Sequence, residues 1–159
     1  MVPDAQANAQ DVTAPTSPWR GFHHVAVVTA DLGATIAFYE GVLGMRVGEV
    51  IQRNALGSSV RHCFIRPGVG ETWGMHFFEQ PDARLTAPPV ALEDRLSSTV
   101  LGLQHIAFAL PDEAAGIALR ERLAEHAVQM TPIGDVGGIR NTLFLDNNGM
   151  LLEAAWPKA

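Results

Sequence analysis

The chain has 159 residues, 47% of them hydrophobic and 18% charged, with a formal net charge of −6 and an isoelectric point near 5.4. Its arginines are scattered rather than gathered into a basic block, which argues against a nucleic-acid partner, and no stretch approaches the roughly 18 to 20 apolar residues of a membrane span. Cys63 is the only cysteine, which excludes an intrachain disulfide and a multi-thiolate zinc site, so any metal must be held by nitrogen and oxygen.

Residues 1–18, MVPDAQANAQDVTAPTSP, are small, polar and without hydrophobic periodicity; they read as a disordered leader with neither the basic nor the apolar region of a secretory signal. A cytoplasmic protein is expected. His23 to Thr29 is valine-rich and reads as a strand. Asp31 then caps a helix whose Leu32, Ile36, Tyr39 and Leu43 form one apolar stripe, closed by Gly44. Glycines 57, 68 and 70 break the next stretch into β-like pieces near 45–52, 60–66 and 72–79. Residues 82–101, with Pro88 and Pro89, are a connector with room for a short helix.

Leu103 to Leu110 opens a second unit as a strand, followed by a helix over 112–126 with Ala115, Leu119 and Leu123 on one face. Pieces near 128–134, 140–146 and 150–156 follow, the last two joined by the turn Asp146-Asn147-Asn148-Gly149. The organisation is therefore β-α-β-β-β twice: a unit over 21–81, the connector, and a unit over 102–157. Each unit would be only marginally stable alone, so the halves are expected to share one core or pair with another chain.

The repeat is visible residue by residue. His24 and Asp31 return as His105 and Asp112, with 105 − 24 = 81 and 112 − 31 = 81. A histidine at one place in each unit gives a pair of imidazoles, the ligands that borderline divalent metals prefer. The last strands add His76 and Glu153, 153 − 76 = 77 residues apart. If each unit curls its sheet into a half-barrel, all four groups project into one cup. The expected ligand set is His24, His76, His105 and Glu153, suited to Zn, Ni, Co, Mn or Fe. Glu79 is the alternative to His76; the two are three apart and point to opposite faces of a strand, so only one enters the cup. Glu153, inside LLEAAW, is a carboxylate that needs a compensating partner if buried. His23 and His62 read as an exposed strand-start residue and a residue of an arginine-rich strand that at most touches substrate. His126 reads as a helix C-terminal residue favoured by the dipole.

The runs HHVAVVTADLGATIAFYEGVLGMRV, GLQHIAFALPDEAAG and FLDNNGMLLEAAW resemble the vicinal oxygen chelate superfamily of glyoxalases, epimerases, fosfomycin-resistance transferases, extradiol dioxygenases and bleomycin-binding proteins. The resemblance covers residues 21–157. It implies an α+β fold of two tandem βαβββ modules forming a cupped mixed sheet around one metal site, with the family's ligands falling on His24, His76, His105 and Glu153. It further implies a divalent-metal-dependent enzyme that chelates adjacent oxygens of a small substrate and works by lyase or isomerase chemistry through a metal-stabilised enediolate, with Glu153 as the base. A homodimer is expected.

Two alternatives follow from the same resemblance. An Fe(II) extradiol-type dioxygenase would use His24, His105 and Glu153, but that type also employs a tyrosine late in the chain, whereas the only tyrosine here is Tyr39; His62 or His76 would have to replace it. A bleomycin-resistance-like binding protein would line its cavity with Trp73, Phe77, Phe78 and Trp156. Arg61, Arg66 and Arg140 are candidates for a phosphonate pocket of the fosfomycin type.

Overall fold

The computed structural model describes residues 22–55, 58–69, 73–84, 91–97 and 102–158. The expected leader and half of the connector lie outside these residues. The fold is α+β, with two open sheets of mixed strands. In the first half, β1 (Val25–Thr29) leads into α1 (Leu32–Ile36), which continues as π-helical turns over Ala37–Val42; then come β2 (Arg46–Val47), β3 (Ile51–Ala55), β4 (Ser58–Arg66) and β5 (Met75–Glu79). The connector carries the short α2 (Leu92–Leu96), and the second half runs β6 (Ile106–Ala109), α3 (Glu113–Glu125), β7 (Gly134–Val136), β8 (Ile139–Leu145) and β9 (Leu151–Pro157).

The sheet orders are β1-β5-β4-β2, with β3 also paired to β4, and β6-β9-β8-β7. In each, the first strand lies parallel to the last, and the last lies antiparallel to its predecessor. Both helices begin as the sequence predicts: the Asp31 carboxylate accepts from Ala34 N–H at 2.9 Å, and the Asp112 carboxylate accepts from Ala115 N–H at 2.9 Å.

Three local expectations change. The first helix is not regular α throughout, because Leu43 N–H donates to Phe38 O five residues back; an apolar stripe is insensitive to one widened turn. The strand expected over 45–52 is divided into β2 and β3 at Gly48, whose N–H donates to Phe64 O at 2.7 Å. The piece expected at 128–134 starts as a single bridge between Met130 and Phe144 and becomes a strand only at Gly134, since Pro132 has no N–H to continue the ladder. The stretch between the expected pieces near 128–134 and 140–146 is therefore the β7–β8 hairpin, turning at Gly137 with φ +61°.

One core serves both halves. Leu32, Tyr39, Met75 and Phe77 from the first belong to the same buried cluster as Phe108, Leu123, Leu152 and Trp156 from the second. The Asp146–Gly149 turn also reaches across: Tyr39 O–H donates to Asp146 Oδ2 at 2.9 Å, Thr29 O–H to Asn148 Oδ1 at 2.8 Å, and Asn147 Nδ2 to Thr35 Oγ1 at 3.1 Å. Burial raises the Asp146 carboxyl above its ordinary value, against the lowering effect of donors from Met150, Tyr39 and Asn148. Tyr39 is pushed well above the usual phenol value by its own burial and by Asp146.

Candidate functional site

Strand alternation decides which groups share a face. On β5, Met75 and Phe77 are fully buried against the helix side, where Phe77 meets Tyr39 with ring centroids 5.0 Å apart. His76 lies between them and faces the opposite, open side. On β4, Cys63 and Ile65 go to the core while His62 and Phe64 share the open side with His76. In the second half, Leu152, Ala154 and Trp156 are core residues, and Glu153 alternates to the open side.

The strand registers make the two halves superimpose as chemistry. Ala26 pairs with His76 and Ala107 pairs with Glu153, so His24 and His105 each stand two residues before the partner of the last-strand group. On the neighbouring strand, Phe64 is opposite His76 and Leu143 is opposite Glu153. The 81-residue repeat seen in the sequence is thus a repeat of position.

The four expected ligands come together as two pairs. His24 and His76 have ring centroids 5.7 Å apart, with His24 exposed and edge-on to Phe64 at 5.4 Å. His105 Nε2 lies 2.9 Å from Glu153 Oε2, with side-chain exposures of 34% and 10%, and Gln104 Oε1 contacts the other ring nitrogen. Among the described residues, no three His, Cys, Asp or Glu groups are placed to hold one ion together. The donor set of imidazoles and one carboxylate fits a borderline divalent ion, two donors from each half. Glu79 is engaged elsewhere, on the helix side: it accepts from Leu32 N–H at 3.0 Å and pairs with Arg61 at 3.1 Å.

Two residues that mattered little in the sequence are part of this arrangement. His62, expected at most to touch substrate, is only 5% exposed and its Nδ1 lies 2.8 Å from His76 Nε2. Asn141 Nδ2 donates to Glu153 Oε1 at 2.9 Å. The signal was present in the repeat, since Arg61-His62 and Arg140-Asn141 are offset by 140 − 61 = 79, but only pairing registers show what the second member of each couple touches.

Other expectations change with the faces. Phe77 and Trp156 are core rather than cup residues, at 0% and 1% exposure, because odd and even strand positions separate them from His76 and Glu153. Arg61 is paired with Glu79 and Arg140 with Glu113; Arg66 lies over the Phe64 ring. Trp73 packs edge-on against Phe108. His23 is exposed and contacts His24 through Nδ1 at 2.9 Å, and His126 is the C-cap of α3.

A comparison with curated proteins finds no match. Among solved structures, the fold is similar to a glyoxylase/bleomycin resistance protein/dioxygenase domain from Frankia sp. EAN1pec, at TM-score 0.65 and 21% identity over 88% of this chain and 93% of that one. It is also similar to the fosfomycin resistance protein FosX of Mesorhizobium loti, at TM-score 0.56 and 20% identity over 86% and 90% of the two chains. A third similar structure is the lactoylglutathione lyase of Agrobacterium tumefaciens, at TM-score 0.58 and 20% identity over 88% and 96%. At these identities the likeness speaks for the fold, whereas the family model matches the sequence itself across residues 21–154, so the chain belongs to the Glyoxalase/Bleomycin resistance protein/Dioxygenase superfamily.

Proposed function

We propose that the protein is a divalent-metal-dependent enzyme of small-molecule metabolism, acting as a lyase or isomerase by proton transfer next to a substrate carbonyl. The observation that carries the reading is the pairing of His105 with Glu153 at 2.9 Å, matched at the same register by His24 and His76. His24, His76, His105 and Glu153 would hold the ion. When bound, a divalent ion supplies Lewis-acid stabilisation of charge that develops on substrate oxygen.

The chain's own part is positioning and proton movement. Glu153 is 8% exposed, and its Oε1 is held by Asn141 while Oε2 faces His105. In the proposed step, on a substrate with a hydroxyl beside its carbonyl, the carboxylate takes the proton from the hydroxyl-bearing carbon and returns it to the former carbonyl carbon, while the hydroxyl proton passes to the other oxygen, so the substrate is isomerised with nothing gained or lost.

Among the described residues the two pairs of one chain do not form a group able to hold one ion together, and each pair alone falls short of the four ligands usual for such an ion. The reading therefore includes a homodimer in which His24 and His76 of one copy meet His105 and Glu153 of the other. Supporting this, β1 and β6 are both edge strands, and Val28 on β1 is 42% exposed, an arrangement that favours cover by a second chain. Among the described residues no helix is long and apolar enough to cross a membrane; a cytoplasmic location is part of the proposal.

Elemental analysis of protein purified without a histidine tag tests it, with His105→Ala as control and sedimentation to read the oligomer. About one equivalent of Zn, Ni, Co or Mn per site, lost in the variant, is the expected result. Iron with oxygen uptake on catechols would shift the assignment to a dioxygenase, with the His62–His76 pair in place of a tyrosine. No metal after incubation with each ion would overturn the catalytic reading in favour of a small-molecule binding protein.

A further inference from the structure

We infer that His62 and Asn141 are a matched pair of positioning residues, one in each half, which fix the orientation of His76 and Glu153; the inference rests on the metal-site reading above. Both occupy the same place in their sheets. His62 stands two residues before Phe64, the partner of His76, and Asn141 stands two residues before Leu143, the partner of Glu153. Each reaches diagonally across the antiparallel pair to one polar atom of the last-strand group, at 2.8 Å and 2.9 Å. The chemistry of both members differs between the halves, imidazole to imidazole in one and amide to carboxylate in the other, yet the contact is kept.

The surroundings are shaped around these contacts. His76 is stacked on Phe64 with centroids 4.0 Å apart and lies 4.1 Å from Phe78, while His62 stacks on Phe78 at 5.3 Å. The Phe64 and Phe78 rings restrict the plane of the His76 imidazole, and the contact with His62 selects which ring edge faces that side. In the second half, a side chain at Gly134 would collide with the Asn141 amide oxygen, so this glycine leaves the amide room to face Glu153.

His62 is also a poor choice if its purpose is packing. Its Nε2 is buried without a hydrogen-bond partner among the described residues, and a buried polar atom without a partner is disfavoured. An apolar side chain would fill the same space without that cost. Among the described residues the one hydrogen bond seen for the ring is the one to His76, which is what a group that orients a metal-binding histidine requires.

Cobalt(II) titration of the full chain, followed by visible absorption, tests the inference beside ¹⁵N spectra of the metal-free imidazoles. His62→Leu and Asn141→Leu should each weaken cobalt binding by about 10- to 100-fold with little change in thermal stability. His62→Asn, which places an amide where the ring nitrogen was and copies the second half, should restore most of the affinity. In the metal-free protein, the His76 nitrogens should report one fixed tautomer that His62→Leu releases to averaging. Unchanged cobalt affinity in both leucine variants, or unchanged His76 nitrogens in His62→Leu, would overturn the inference. If the wild type binds no cobalt, the metal reading fails separately, and the nitrogen spectra alone decide whether His62 orients His76.

Discussion

Tyr39→Phe removes one oxygen from a fully buried position, and the structure says what that oxygen does. It donates to Asp146 Oδ2 at 2.9 Å and joins the helix of the first half to the β8–β9 turn of the second. The phenyl ring keeps its contact with Phe77, so the loss is almost entirely the hydrogen bond. A buried donor to a carboxylate contributes about 1.5–3 kcal/mol, and at this chain length each kcal/mol moves Tm by about 3 °C. The expected effect is a fall in Tm of about 6 °C and a similar loss in urea unfolding at pH 7.

The pH dependence gives the sharper check. Burial already raises the Asp146 carboxyl, and Tyr39 is one of the donors that hold it down; removing the hydroxyl lets it rise further. The raised value means that the ionised carboxylate penalises folding above its folded pKa, and that this penalty fades as the pH falls through it. Tyr39→Phe should therefore cost its full amount at neutral pH and progressively less as the pH approaches the ordinary carboxylate value of 3.8. A loss below about 0.5 kcal/mol at pH 7, or one that does not shrink on acidification, would refute the assignment of this bond as a buried charge-assisted link.

Gly116→Ala should lower Tm by about 3 °C: the new methyl would lie 2.7–2.8 Å from three atoms of the Trp156 indole, and overpacking of about 1–3 kcal/mol exceeds the roughly 1 kcal/mol gained in helix propensity. A higher Tm would show that the ring can move aside. Cys63, 1% exposed and with its thiol pushed up to about 11 by burial, should resist Ellman's reagent in the native protein and react fully in denaturant; rapid native labelling would contradict that burial. Glu79→Gln should cost less than about 1 kcal/mol, because the Arg61 partner is half exposed and the amide oxygen can still accept from Leu32 N–H, and should leave metal content unchanged where His76→Ala abolishes it. Metal loss in Glu79→Gln would reverse the roles assigned to these two residues.

Much of this protein could be read from the chain alone because its signals are local or periodic. The caps Asp31 and Asp112, the apolar stripes of both helices and the repeated histidine follow from hydrogen-bonding chemistry and spacing that hold wherever the segments end up. The same repeat led to the α+β arrangement of two like units. The widened turn after Ile36 was not legible, since an extra residue in a turn leaves the hydrophobic pattern almost unchanged; the late start of β7 at Gly134 was marked in the sequence by Pro132, which hydrophobic patterning alone passes over.

Contacts between distant segments were decided only by the tertiary structure. His62 looked like one member of an arginine-rich strand until the β4–β5 register set it against His76, and Asn141 was an unremarked strand residue until β8 and β9 set it against Glu153. Asp146 to Gly149 was legible as a turn, yet its use as the link to Tyr39, Thr35 and Thr29 depends on two helices and two sheets meeting around one core. Spacing along a chain fixes which face a residue occupies, whereas which residue lies opposite is fixed by registers that arise only when strands far apart in sequence pair and bury their apolar faces together.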